Sequence, residues 1–304
     1  MSASVESESD TMMFCASCGT AGSDDIKLKK CTACYLARYC SVKCQKDHWK
    51  QHKKECKKRA AELKDEILFK QPEGSHWGDC PICCLPLPLD PHKAILNSCC
   101  CKRICTGCDL ANKRREEEGR LDHTCPFCRE TLPNTDEECI EQLKKRTEAN
   151  DPVAMYQMGT IRKKEEDYEA AFEYLTRAVA LGDTEAHYPL YVMYRDGLGV
   201  EKDEKRELHH VEQAAIGWHH MARHDLGVKE WERNGRMDRA VRHWIIAAKL
   251  GFDRSLDNIK DGYKIGYVSK EDLATALRDH HAAIEATKSA QRKEAAEFEK
   301  ERGD

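Results

Sequence analysis

All 18 cysteines of this 304-residue chain fall between Cys15 and Cys139, and the last 165 residues carry none. Most are paired at a spacing of two or three residues. Without a secretory signal to direct oxidation, cysteines at such short, regular intervals point to metal ligands rather than disulfides. The chain therefore reads as a metal-rich front half and a metal-free back half.

The first cluster contains Cys15-x2-Cys18, Cys31-x2-Cys34, Cys40-x3-Cys44 and His52-x3-Cys56. Seven cysteines and one histidine make eight ligands, enough for two closed tetrahedral zinc sites. A C-x2-C pair fits a tight turn that aims both sulfurs at one ion. The x3 pairs lie at i and i+4, which share a helix face. His48, eight residues before Cys56, does not fit the pattern and reads as a surface residue.

Order and spacing over residues 15–56, with "RYCSVKCQKDHWKQHKKEC", resemble the MYND zinc finger. The resemblance implies an interleaved arrangement: Cys15, Cys18, Cys40 and Cys44 on one zinc, and Cys31, Cys34, His52 and Cys56 on the other. It also implies a peptide-binding module, often for proline-containing segments.

The second cluster has clear pairs at Cys80/Cys83, Cys105/Cys108 and Cys125/Cys128, and a fourth pair drawn from Cys99, Cys100 and Cys101. Eight ligands would again hold two zincs, so four are expected per chain. Residues 80–130, with Cys80-Pro81-Ile82-Cys83 and Cys125-Pro126-Phe127-Cys128-Arg129, resemble a RING finger. Where an ordinary RING has a histidine ligand this chain has Lys102, whose ammonium has no lone pair for a metal, so the resemblance is to an all-cysteine variant. The pattern S-C-C-x-K-x-I-C-x-G-C, found in RING proteins of unicellular algae with helical repeats, maps onto Ser98–Cys108 and designates Cys99 and Cys100. Geometry raises an objection, because alternate side chains of an extended segment share a face, which favours Cys99 with Cys101. Cys84 and Cys139 match no ligand position.

The RING resemblance implies that Ile82, Pro126 and Arg129 meet a ubiquitin-conjugating enzyme, which would make the chain a candidate ubiquitin ligase. The alternative is a non-enzymatic adaptor. A MYND-containing lysine methyltransferase would split a β-rich catalytic domain around the finger, whereas here a second cysteine cluster and helices follow it.

Beyond Cys139 the pattern is helical and repetitive. "RAVALGD", "EQAAIGW" and "IAAKLGF" end near Gly182, Gly217 and Gly251, 35 and 34 residues apart. A period of this length means stacked helix pairs. A glycine after an Ala-rich helical run reads as a left-handed cap. The segment "LYVMYRDGLGVEKDEKRELHHVEQAAIG" resembles the SEL-like repeat, a relative of the tetratricopeptide repeat, and about four repeats fit over 150–285. Such arrays are protein-binding scaffolds. Tyr156, Tyr188, Trp218, Trp231 and Trp244 read as core. His209, His210, His219, His220, His224 and His243 read as scattered, with no ligand geometry.

The expected architecture is mainly α: two zinc-stabilised cross-brace modules followed by a helical solenoid. Residues 1–14 read as a disordered acidic leader, 57–79 as a helix and linker, and 286–304 as a polar C-terminal helix or tail; the stretch 274–304 reads as a polar helix suited to capping the solenoid. A net charge of −4 and cross-braced fingers argue against nucleic acid as partner. The basic run Lys43–Arg59 reads as solvated helix faces. No apolar run approaches the roughly 20 residues of a membrane span, and the N-terminus lacks a signal peptide's basic and apolar regions. The expected partners are proteins or peptides, in the cytoplasm or nucleus.

Overall fold

The computed structural model describes residues 14–302. The expected leader, apart from its last residue, lies outside them. The chain divides into two compact units, one ending at Lys70 and the other starting at Gln71.

The first unit pairs β1 (Lys29–Lys30) antiparallel with β2 (Arg38–Tyr39), followed by α1 (Val42–Leu68). Ser41 caps α1, accepting a hydrogen bond from the Cys44 N–H. A helix and linker over 57–79, separate from the finger, was expected. Instead α1 runs for 27 residues without a break. It contains no glycine or proline, so nothing ends it before Leu68. Its apolar core is small and consists largely of ligand residues: Cys15, Cys31, Cys34 and Cys56 with Ala37 and Tyr39.

The second unit opens with a metal-ligand module. β3 (Ala94–Asn97) and β4 (Lys102–Cys105) form a hairpin in the register Ala94↔Cys105 to Asn97↔Lys102. α2 (Thr106–Gly119) follows and ends at Arg120, which takes a left-handed conformation. The solenoid starts with α3 (Asp136–Glu148), capped by Thr135 and earlier than the repeat pattern suggested. Four helical hairpins then stack: α4 (Pro152–Lys164) with α5 (Tyr168–Ala180), α6 (His187–Asp196) with α7 (Glu204–Ile216), α8 (His220–Glu232) with α9 (Met237–Lys249), and α10 (Asp253–Lys264) with α11 (Lys270–Ala286). Asp151 caps α4, with Pro152 at the first helical position, where its missing N–H costs nothing. Buried alanines at 154, 178, 214, 215, 247 and 248 let the helices approach closely. Among the described residues, no helix is long and apolar enough to cross a membrane.

The three repeat glycines do not share one role. Gly182 and Gly251 take left-handed φ values of 92° and 93°. Gly217 does not; Trp218 takes the left-handed position with φ 66°. A Cβ on Gly217 would stand 2.9 Å from the Thr184 side chain, so its constraint is space. Trp231 is 46% exposed rather than core, while Trp244 is buried.

Of the six solenoid histidines singled out above, His209 is exposed and His210 half-buried, while the other four are packed inside. His219, His220, His224 and His243 are buried. His219 stacks parallel to His220 at 5.3 Å and against Tyr188 at 4.3 Å, and His76 lies 4.5 Å from His219. Burial pushes His219 down to about 3, and His220 and His224 down to about 4. They fold as neutral rings and regain a proton on unfolding below their usual value of 6.5. Their contribution is complete above that value and is lost as pH falls toward 4. Denaturation followed by circular dichroism should show this decline. His219→Asn keeps a side chain able to accept from the Ala222 N–H, as His219 Nδ1 does at 3.3 Å, and should flatten the slope.

Candidate metal centres

The sixteen designated residues gather into four groups of four. Cys15, Cys18, Cys40 and Cys44 form the first, and Cys31, Cys34, His52 and Cys56 the second. Cys80, Cys83, Cys105 and Cys108 form the third, and Cys99, Cys100, Cys125 and Cys128 the fourth. Within each group the ligand atoms all lie within 4.8 Å of one another. In both modules the first pair joins the third and the second joins the fourth, which is the topology of a cross-brace.

The distances can be tested against zinc. Zn–S bonds of about 2.3 Å at tetrahedral angles set sulfurs about 3.8 Å apart. Cys18 to Cys40 and Cys40 to Cys44 are both 3.5 Å. Cys31 to Cys56 is 3.7 Å, with Cys34 Sγ 3.3 Å from His52 Nε2. Cys80 to Cys108 and Cys83 to Cys105 are 3.8 Å. Cys100 to Cys125 is 3.6 Å and Cys99 to Cys128 is 3.4 Å. The donor sets and spacings fit zinc, and each set fills all four positions with protein ligands.

A single local turn builds these pairs. The residue after the second cysteine returns its N–H to the carbonyl four residues back: Gly19 to Cys15, Tyr35 to Cys31, Cys84 to Cys80 and Arg129 to Cys125, at 2.8–3.0 Å. Each has a positive φ, between 55° and 72°. The turn also aims two backbone N–H groups at the first sulfur. Burial opposes ionisation of Cys15, yet the N–H groups of Cys18, Cys40 and Ser17 bring it down to about 6. The same opposition brings Cys31 to about 6 and Cys80 to about 7, and lowers Cys125. A thiol held toward its thiolate form is the form a metal binds.

The triple cysteine follows this rule. Cys101 donates its N–H to the Asn97 carbonyl at 2.8 Å and has φ 55°. It is the turn residue after the Cys99/Cys100 pair, as Cys84 is after Cys80/Cys83. The extended geometry behind the objection to adjacent ligands is absent, because residues 98–101 form the turn of the β3–β4 hairpin. The Cys101 side chain instead packs with Cys139, Ile140, Leu143 and Met158, under the first solenoid helices. Three cysteines stay outside the ligand groups: Cys101 and Cys139 share this apolar cluster, and Cys84 is exposed.

Neighbouring side chains hold the ligands in place. His48, expected at the surface, is half-buried; its Nδ1 lies 3.1 Å from Tyr39 OH and its ring stacks on His52 at 5.7 Å. Lys102, which stands where an ordinary RING has a ligand, lies over the Phe127 ring at 4.6 Å. Arg103 lies over Trp77 and pairs with Glu185 at 3.1 Å, joining β4 to the residues before α6. Ile82, Pro126 and Arg129 are all exposed.

Residues 15–56 match the family model "MYND finger". The chain is 37% identical over 59 residues to "SET domain and MYND-type zinc finger protein 6" of Schizosaccharomyces pombe, covering 19% of this chain and 12% of that protein. It is 58% identical over 31 residues to "Histone-lysine N-methyltransferase SMYD3" of Homo sapiens, covering 10% of this chain and 7% of that protein. The chain thus spans about a tenth of the curated relatives it matches. Among solved structures, it resembles a protective antigen of uropathogenic Escherichia coli displaying an SLR fold (28% identity, TM-score 0.41, 49% of this chain and 33% of that one). It also resembles a Sel1 repeat protein from Oxalobacter formigenes (20% identity, TM-score 0.44, 56% and 71%).

Substitution distinguishes the three adjacent cysteines. Cys99→Ser and Cys100→Ser should each lower the zinc content by one per chain. Cys101→Ser should keep the full content and cost about 1–3 kcal/mol by placing a hydroxyl in an apolar cluster. Native mass spectrometry and denaturation read the two effects.

Proposed function

We propose that the protein is a protein-interaction scaffold whose two cross-brace modules each bind two zincs and whose helical repeats hold a partner. The observation that carries this reading is the convergence of sixteen ligands, far apart in sequence, into four closed groups. Zinc in such a group is structural. It cross-links segments that could not otherwise build a core, and with every position taken by protein it has no place for substrate.

The first module exposes Tyr35, Leu36, Val42 and Trp49, and these apolar side chains suit peptide capture. The solenoid suits a larger partner, since a repeat array presents one continuous surface.

A second reading is supported by the exposure of Ile82, Pro126 and Arg129. The side chains that the RING resemblance assigns to a conjugating enzyme are open to one. On this reading the repeats select a substrate and the module recruits the charged enzyme, with no covalent chemistry of its own.

Two measurements test these readings. Native mass spectrometry should give four zincs per chain. After chelation, proteolysis should cut within residues 15–132 while circular dichroism keeps the signal of α3–α11; a front half that stays resistant would contradict the scaffold reading. Discharge of ubiquitin from a panel of charged conjugating enzymes, abolished by Ile82→Ala, would establish a ligase. With four zincs confirmed, absence of discharge across the panel would leave the adaptor.

A further inference from the structure

Of the polar stretch expected to cap the solenoid, α11 packs on α9 and α10, and the part after it turns elsewhere. It forms α12 (Ala290–Arg302), which packs along α2 of the second metal module. Its anchor is Arg292, which is only 9% exposed. Arg292 Nη1 donates to the Pro86 and Thr287 carbonyls, both at 2.7 Å. Nη2 donates to the Leu85 carbonyl at 3.1 Å and to Cys83 Sγ at 3.4 Å. The guanidinium thus grips the segment that leaves the Cys80/Cys83 turn and touches one of its sulfurs, from 209 residues away in sequence.

Gly107 makes this approach possible. It lies between Cys105 and Cys108, and a Cβ there would stand 2.8 Å from both Arg292 N and Gln291 C. Both are backbone atoms and cannot swing aside, so any side chain at 107 would lift α12 from the module.

Charge gives the contact its consequence. Four thiolates around a divalent ion leave the third centre with a formal charge of about −2. A buried cation against such a centre is poorly screened by water. An N–H donated to a ligand sulfur fixes that ligand and disperses its charge.

We propose that Arg292 is a positioning residue for the Cys80/Cys83/Cys105/Cys108 centre, through which the C-terminal helix controls how tightly that centre alone retains zinc. The inference rests on the zinc loading proposed above. The chain thereby closes on itself: α12, beyond the solenoid, secures the first turn of the module that precedes it.

The test uses the full zinc-loaded chain. Zinc release to a colorimetric chelator is followed in time, with alkylation and mass spectrometry to identify which cysteines become free. In Arg292→Ala, one zinc of the four should leave roughly 10- to 100-fold faster, with Cys80, Cys83, Cys105 and Cys108 alkylated first. Gly107→Ala, which leaves Arg292 in place, should reproduce the effect. Arg292→Lys keeps the charge but not the four-bond fork and should fall between; it carries the test if the alanine chain misfolds. Release from Arg292→Ala at the wild-type rate, or acceleration spread over all four centres, would overturn the proposal. So would wild-type release from Arg292→Lys. A wild-type chain without zinc on these four cysteines would overturn the loading as well.

Discussion

Everything in the front half depends on four ligand atoms at a time being brought to within 4.8 Å of one another. Four thiols have no reason to converge; packed alone they are small apolar groups, and ionised alone they repel. A divalent ion reverses that balance. The inner cores of both modules show the consequence. In the first unit the buried apolar cluster is built on four ligand cysteines with Ala37 and Tyr39. In the second module it is built on Cys80, Cys105 and Cys108 with Leu87 and Ile104. Neither segment is long enough to bury a conventional core, so the ligand shells take its place.

One turn geometry does most of the local work. Its left-handed residue follows each of five close cysteine pairs and is a glycine only at Gly19. Tyr35, Cys84, Cys101 and Arg129 accept the strain because their N–H groups are satisfied by the carbonyl four residues back. That is why extra cysteines sit beside ligand pairs without joining them. The side chain of the turn residue is free for other work, and Cys101 uses it to seat the module against α3 and α4. Ser98 adds a hydrogen bond to Gln142 of α3 at 2.6 Å. The second module is therefore continuous with the helical array, joined at Arg103–Glu185 and along α12 as well.

The buried imidazoles belong to the same joint. His76 comes from the segment that enters the metal module, whereas His219 and His220 start α8. Rings kept neutral by burial pack like aromatics beside the Arg103–Glu185 pair.

The sequence by itself determined most of the cysteines and the histidine that gather into four groups, the two-module front and the helical period. Each of these depends on short-range spacing: two or three residues within a ligand pair, four for a helix face, about 35 for a repeat. Spacing alone left Cys101 open against Cys99 and Cys100, because an extended reading of residues 98–101 misses the hairpin turn they form. Only the tertiary structure decided what depends on approach between distant segments. Gly217 is constrained by Thr184 rather than by its own φ, His76, His219 and His220 meet in one buried cluster, and Arg292 reaches Cys83. Local pattern cannot show these contacts, because a glycine that yields space and a cation that seeks a thiolate leave no periodic mark on the chain.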